Sequence, residues 1–257
     1  MRFCSLGSGS AGNATLVEAH EGGTTTRLLI DCGLPYKHLD ERLAARGLSL
    51  AQIDAVFVTH EHSDHVGCAR QLATQDGLLV LMSRGTYAAM GAPDLAGQLR
   101  LVSDGLTVQV KDIELSPFTV AHDAKEPLQI TLTDGNKRFG LLTDLGHVTP
   151  YVVAQMGALN ALVLECNHDE DLVQKGNYPA FLKQRILGDY GHLSNGQAAA
   201  LLHSIQHANL RHVVAAHLSE QNNQPKLAQN ALASVLNCRR DEIVVADAAY
   251  GFDWLEV

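Results

Sequence analysis

A chain of 257 residues with 46 % hydrophobic content can bury a full core, and one domain over 1–257 is the economical reading. The formal charge of −9 argues against a protein whose whole surface attracts nucleic acid, while leaving room for a local cationic site. No apolar stretch of about 18 residues exists to span a membrane, and Met1–Leu6 runs straight into Gly-Ser-rich sequence with no signal-peptide core.

The five cysteines (Cys4, Cys32, Cys68, Cys166, Cys238) are odd in number, scattered, and never in a C-x-x-C pair. Free thiols in a reducing cytoplasm are therefore expected.

Strands are expected first at Arg2–Leu6, Ala14–Glu18 and Arg27–Ile30, with His20-Glu21-Gly22-Gly23 as a hairpin turn. Between the first two, Gly7-Ser8-Gly9-Ser10-Ala11-Gly12 fits G-x-G-x-x-G, and Asp31 lies at roughly the distance of the acidic residue in a dinucleotide fingerprint. That fingerprint needs a helix to begin inside the glycines, whereas Asn13–Glu18 reads as a strand. A nucleotide cofactor is excluded on that context. The loop is either a plain turn or one whose N–H groups line a pocket and meet a phosphate.

A helix is expected over Leu39–Arg46, then a buried strand in the apolar run Ile53–Val58. Directly behind it, Thr59-His60-Glu61-His62-Ser63-Asp64-His65-Val66-Gly67 concentrates histidine and aspartate at a strand-to-helix corner, with a helix following over Val66–Thr74. In extended backbone, residues two apart point the same way, so His60 and His62 can grip one ion together. Asp64 and His65 start the helix and point elsewhere, which suits a second ion. Imidazole and carboxylate are ligands of zinc, manganese and iron, and no cysteine takes part.

Next come a strand at Leu78–Met82, a helix at Gly85–Met90, and strands at Leu106–Val110 and Glu114–Val120. The second half repeats this grammar. Leu128–Thr133 and Arg138–Thr143 flank Asp134-Gly135-Asn136, a strong hairpin turn, and strands follow at Ala161–Glu165, Val213–Ala216 and Ile243–Val245. Helices are expected at Val152–Met156, Tyr178–Ile186, Asn195–Ala208 and Pro225–Leu236. Strands first and helices after, twice over, suggest two mixed sheets packed together with helices outside.

More ligand types stand where expected strands end: His122 after Val120, Asp144 after Leu141-Leu142-Thr143, and His217 after Val213–Ala216. THEHSDHVG, with Asp31 in LLIDCG, His122 in VAHDAKEP, Asp144 in LLTDLG and His217 in AHLSEQNN, resembles the metallo-β-lactamase superfamily. The resemblance runs over essentially the whole chain and is closest to its YycJ-like branch of small nucleases or phosphodiesterases. It implies an αββα four-layer sandwich of two mixed β-sheets with a metal site along one edge. It further implies two divalent ions, zinc or manganese with iron as an option. His60, His62 and His122 would hold one ion, Asp64, His65 and His217 the other, and Asp144 would bridge them. Asp31 would sit beneath the site and orient a ligand histidine.

His168 in Glu165-Cys166-Asn167-His168-Asp169 and His192 before the Ser194/Asn195 helix cap lie between the Asp144 and His217 motifs. In similar phosphodiesterases such as ribonuclease Z, histidines in this interval contact the scissile phosphate or protonate the leaving group. His168 and His192 are therefore expected, with Asp64, to be catalytic. His203 and His207 have helical zinc spacing but no third ligand, and are assigned to surface with His20, His38, His212 and the Arg239-Arg240 pair; His147 is left without a role.

The implied activity is hydrolysis of a phosphodiester in DNA, RNA or a small cyclic ester, by water activated between two ions. The alternative is a thioester, lactone or lactam hydrolase, for which His168 and His192 have no use. A redox di-iron enzyme would need a flavin module that is absent here, and an inactive binding protein would have lost ligands.

Overall fold

The computed structural model describes residues 1–257. The first sheet holds β1 (Arg2–Gly7), β2 (Ala14–Glu21), β3 (Thr24–Ile30), β4 (Ala55–Phe57), β5 (Leu79–Ser83) and β6 (Leu99–Val102). The C-terminal strand β14 (Phe252–Glu256) completes its seven strands in the order β14-β1-β2-β3-β4-β5-β6. The second sheet holds β7 (Val108–Val110), β8 (Ile113–Thr119), β9 (Leu128–Thr133) and β10 (Arg138–Leu142). It continues with β11 (Ala161–Glu165), β12 (His212–Ala216) and β13 (Val244–Val245), also seven strands, in the order β13-β12-β11-β10-β9-β8-β7.

Both sheets are mixed, for the same reason. Short turns join antiparallel neighbours from β1 to β3 and from β7 to β10. The parallel pairs from β3 to β6 and from β10 to β13 need longer crossovers. Helices supply most of them: α1 (Tyr36–Ala45), α2 (Ser63–Val66), α3 (Ala69–Asp76) and α4 (Arg84–Ala89) in the first half. The second half uses α5 (Pro150–Gln155), α6 (Glu170–Lys175), α7 (Ala180–Leu187), α8 (Asn195–Ile205) and α9 (Pro225–Leu236).

Side-chain alternation sets the layers. Phe3, Leu28, Ile30 and Phe57 meet Leu115, Ile130, Phe139 and Val163 of the other sheet in the central core. The residues between them, Cys4, Leu29, Val56 and Val58, turn outward beneath Leu39 and Leu43 of α1 and Leu72 of α3. On the far side, Leu162, Leu164 and Ala215 lie beneath Val152 of α5, Leu201 and Leu202 of α8, and Leu232 of α9. The result is the αββα sandwich. Each fully buried Leu or Phe contributes about 1.5–3 kcal/mol on leaving water, so this interior dominates stability and the strand ends are free to carry polar groups.

The structure departs from the sequence reading in four places. The helix expected over Val66–Thr74 is two, because Gly67 between α2 and α3 takes φ +20° and a Cβ there would stand 2.4 Å from the Cys32 carbonyl oxygen. Strands β6 and β14 and helix α6 lie outside the expected elements. They span only four, five and six residues, too few for a period to declare itself.

Candidate metal centre

The parallel strands β3, β4, β10, β11 and β12 all end on one edge of the sandwich, and most of the site is built from residues at or just beyond those ends, with His122 from the loop after β8 and His192 from the segment before α8. Asp31 comes directly after β3, while Asp144 and His217 come shortly after β10 and β12. All three adopt left-handed backbone, at φ +59°, +57° and +55° respectively. Aspartate and histidine tolerate that region better than most residues, and the turn takes each out of the strand's alternation. The β4 end leads into His60 and His62, and α2 brings Asp64 and His65.

These side chains converge. His60, His62 and His122 form one group and Asp64, His65 and His217 another, with candidate ligand atoms within 4.8 Å of each other in each group. Asp144 joins His60 and His65 in a third group and Glu165, His192 and His217 in a fourth. Atom separations include His62 Nδ1 to His122 Nε2 at 3.4 Å, His65 Nε2 to Asp144 Oδ2 at 3.2 Å, and His217 Nε2 to Asp64 Oδ2 at 3.7 Å. Ligands about 2.1 Å from a tetrahedral ion stand roughly 3.4 Å apart, so the spacing fits.

The hydrogen bonds behind the cluster fix which ring nitrogen is available. Asp31 Oδ2 is 2.7 Å from His65 Nδ1 and accepts from Thr59, whose hydroxyl is 3.0 Å from His60 Nδ1. The Gly191 carbonyl is 3.1 Å from His122 Nδ1, and Glu165 Oε1 is 3.2 Å from His217 Nδ1. The opposite nitrogens are left for the centre. His60 Nε2, His217 Nε2 and Asp144 Oδ2 are buried without any hydrogen-bond partner. Each such orphan costs about 1–3 kcal/mol, and three at one point are what donors converging on a cation look like. The residues fit divalent ions.

The electrostatics agree. Burial would raise Asp144, but the neighbouring His217 and His65 hold it well below the usual carboxylate range. Glu165 is lowered to about 2, the His192 and His217 contacts outweighing its burial. Burial would lower His217, yet Asp144, Asp64 and Glu165 raise it to about 10, and His65 is likewise held well above the usual value by Asp144 and Asp31. Burial raises Asp31 despite His65. His60 and His122, where burial leads, are lowered. The pocket is rich in buried negative charge that wants positive charge beside it.

Of the two histidines expected beyond the ligands, the structure brings in one. His192 Nδ1 is 2.8 Å from Glu165 Oε1 and 3.6 Å from Asp144 Oδ1, and its ring is 5.3 Å from that of His122. His168 lies behind the site, 1 % exposed and in none of the ligand groups, its carbonyl accepting from Asn195 N at 2.8 Å. Its Nδ1 has no partner. Glu165 escaped the sequence reading, although the sign was there: it is the charged end of the apolar strand ALVLE, just as Asp31 ends LLI.

Other positions fall outside the cluster. His203 and His207 are exposed, and His147 Nδ1 bonds the Asp189 carbonyl at 2.8 Å. The glycine-rich loop runs into β2 rather than a helix. It buttresses the site: Ser8 Oγ accepts from His217 N at 2.9 Å, and Asn13 Nδ2 is 3.1 Å from His65 Nε2.

A family model described as a beta-lactamase superfamily domain matches residues 26–218. The chain belongs to that superfamily and, within it, to the YycJ/WalJ branch. It is 34 % identical over 241 residues to exodeoxyribonuclease YycJ of Bacillus anthracis, covering 92 % of this chain and 89 % of that protein. It is 31 % identical over 258 residues to exodeoxyribonuclease WalJ of Streptococcus pneumoniae, covering 98 % and 92 %. Among solved structures, the metallo-beta-lactamase fold protein YhfI from Bacillus subtilis superposes with a TM-score of 0.74 at 15 % identity, over 100 % of this chain and 99 % of that one, a likeness of fold.

Proposed function

We propose that the chain is a dinuclear metal-dependent phosphodiesterase acting on nucleic acid. The observation that carries this reading is His192, set against the ligand groups and held through Nδ1 by the buried Glu165. The YycJ and WalJ relatives, both exodeoxyribonucleases, support it. His60, His62 and His122 would hold one ion, Asp64, His65 and His217 the other, and Asp144 both. Zinc and manganese suit these nitrogen and oxygen donors. Bound there, the ions would supply Lewis-acid charge to the phosphate and lower the pKa of the attacking water.

The chain's own residues do the rest. Glu165 fixes the His192 ring, leaving its Nε2 to give a proton to the departing oxygen. Burial around His60, His65 and Asp144 keeps bulk water from the reacting centre. His168 serves the wall behind. A reducing cytoplasm suits the five free cysteines, and no helix is long and apolar enough to cross a membrane.

The test is His192→Ala beside His168→Ala, each with its metal content measured. Both should keep their ions. Loss of a proton donor should cost roughly 10²–10⁴ in rate on an oligonucleotide. It should cost far less on bis(p-nitrophenyl) phosphate, whose leaving group departs without a proton. Equal losses on both substrates, carried by KM, would reassign His192 to phosphate binding. No loss on either, or a missing ion, would remove the proton-donor role.

A further inference from the structure

Between His168 and His192 the chain leaves the sheet, and α7 in this excursion has no buried residue. Phe181 is 72 % exposed, Leu187 41 % and Tyr190 63 %. Three of the six exposed large apolar side chains thus fall in the ten residues 181–190. A soluble surface scatters such residues singly, so the concentration needs a reason.

The C-terminal end of this stretch is tied to the loops that carry the candidate ligands. The Asp189 carbonyl is 2.8 Å from His147 Nδ1, the Tyr190 carbonyl accepts from Asp123 N at 3.1 Å, and the Gly191 carbonyl is 3.1 Å from the Nδ1 of His122. Gly146, two residues past Asp144, lies so close that a Cβ would stand 2.3 Å from the Asp189 carbonyl and 2.5 Å from Tyr190 N. Arg185 grips Asp123 through two nitrogens, at 2.7 and 2.6 Å, while keeping 62 % of its side chain exposed. The other oxygen of Asp123 is 3.4 Å from His122 Nε2. Tyr190 is therefore one residue from the carbonyl that meets His122, and Phe181 lies one helical turn before the arginine that grips the neighbour of His122.

In a chain of charge −9, α7 carries no acid and two cations, Lys183, whose Nζ donates to the Gln174 carbonyl at 2.7 Å, and the more exposed Arg185. Flat ring faces beside cations, at the rim of a phosphate-cleaving site, match the chemistry of an unpaired strand: bases stack on aromatics and the backbone meets the cations. We infer that α7 and the Tyr190 turn form a stacking platform for the unpaired nucleotides flanking the scissile phosphate, with Phe181 and Tyr190 as ring faces and the exposed Arg185 meeting the backbone. The inference rests on the phosphodiesterase reading and adds to it a single-stranded substrate.

The test is fluorescence anisotropy of a labelled, cleavage-resistant phosphorothioate oligodeoxythymidylate with the manganese-loaded protein. Phe181→Ala and Tyr190→Ala remove exposed rings, so folding should survive. Each should weaken binding about 5- to 150-fold, the range of one stacked base. Tyr250→Ala removes a ring that is 77 % exposed elsewhere and should leave affinity unchanged. Phe181→Trp should bind with wild-type affinity and lose emission as the strand is added. Wild-type affinity in both alanine variants would overturn the platform while leaving the nuclease reading intact. So would a wild-type dimer that becomes monomeric in the double variant, since the patch would then cover a second copy. A protein that cleaves bis(p-nitrophenyl) phosphate but binds no oligonucleotide overturns the platform and the nucleic-acid substrate, leaving the phosphodiesterase chemistry standing. One that does neither overturns both readings.

Discussion

Asp144 lies between the two sets of candidate ligands. Its Oδ2 is 3.2 Å from His65 Nε2, and its Oδ1 is 3.5 Å from His217 Nδ1 and 4.0 Å from His122 Nε2. A carboxylate between both ligand sets is the one group whose loss should unbalance both. Asp144→Ala is expected to lose one ion per chain by elemental analysis, with essentially all turnover. Two ions retained with full activity would sink the dinuclear assignment. His203→Ala and His207→Ala, on exposed positions, should shift stability by no more than about 0.5 kcal/mol and leave metal content alone. The residues that converge were legible in sequence because a charge at the end of an apolar strand has few other reasons to be there. Glu165 was less so. Its role depends on His192 and His217, 27 and 52 residues away, arriving at the same oxygen. Nor could sequence separate His192 from His168: the two segments lie side by side, His168 pairing with Ser194 across the excursion that holds α6 and α7, and neither local pattern decides which ring enters the site.

At the level of elements, the candidate ligands on α2 are held by a mesh of backbone hydrogen bonds as well as by side chains. Asn13 N donates to Asp64 O at 2.8 Å, Cys32 N to His65 O at 2.9 Å, and Cys68 N to Cys32 O at 3.0 Å. Gly33 sits inside this mesh, where a Cβ would fall 1.7 Å from Asp64 O. Gly33→Ala must therefore push α2 aside and carry Asp64 and His65 with it. Misplacement by about 1 Å can cost around 10²-fold in rate. The variant should keep its far-ultraviolet circular dichroism and lose both metal affinity and turnover; wild-type metal content would show that the loop yields instead. The same contact explains the divided helix. Periodicity through Val66, Ala69, Leu72 and Ala73 reads as continuous, and nothing local reveals that Gly67 lies against Cys32. Long strands and α9 were legible, since their patterns repeat enough times. Strand β14 was not, because its pairing partner β1 is at the other end of the chain.

Across the whole molecule, one buried carboxylate joins strands from both ends of the sequence. In register, Arg2 on β1 faces Glu18 on β2, which faces Arg27 on β3. Glu18 is fully buried; Oε1 meets Arg2 Nε at 2.6 Å and His20 Nε2 at 2.7 Å, while Oε2 meets Arg27 Nε at 2.6 Å. The Arg2 guanidinium lies 4.2 Å over the Trp254 ring, which extends the tie to β14. Burial alone would raise the Glu18 pKa, but the bonds from Arg2 and Arg27 outweigh it and hold it below the usual carboxylate value. A depressed folded-state pKa gives stability that is fully present above the unfolded value of about 4.3 and is lost as pH falls through the folded one. Glu18→Gln keeps the shape and removes the charge. Because the Arg2 and Arg27 side chains keep 35 % and 15 % exposure, water can take up part of what they lose. The cost near neutral pH should be about 1–3 kcal/mol, below that of a fully enclosed pair. In a chain of this size each kcal/mol lowers Tm by about 2–4 °C. Thermal scans of both proteins should show that gap at neutral pH and its progressive closure below about pH 4, as wild-type Glu18 takes up a proton and comes to resemble glutamine. A gap that stays constant over that window would mean the glutamine disturbs packing, and that charge on Glu18 contributes nothing to joining the two ends.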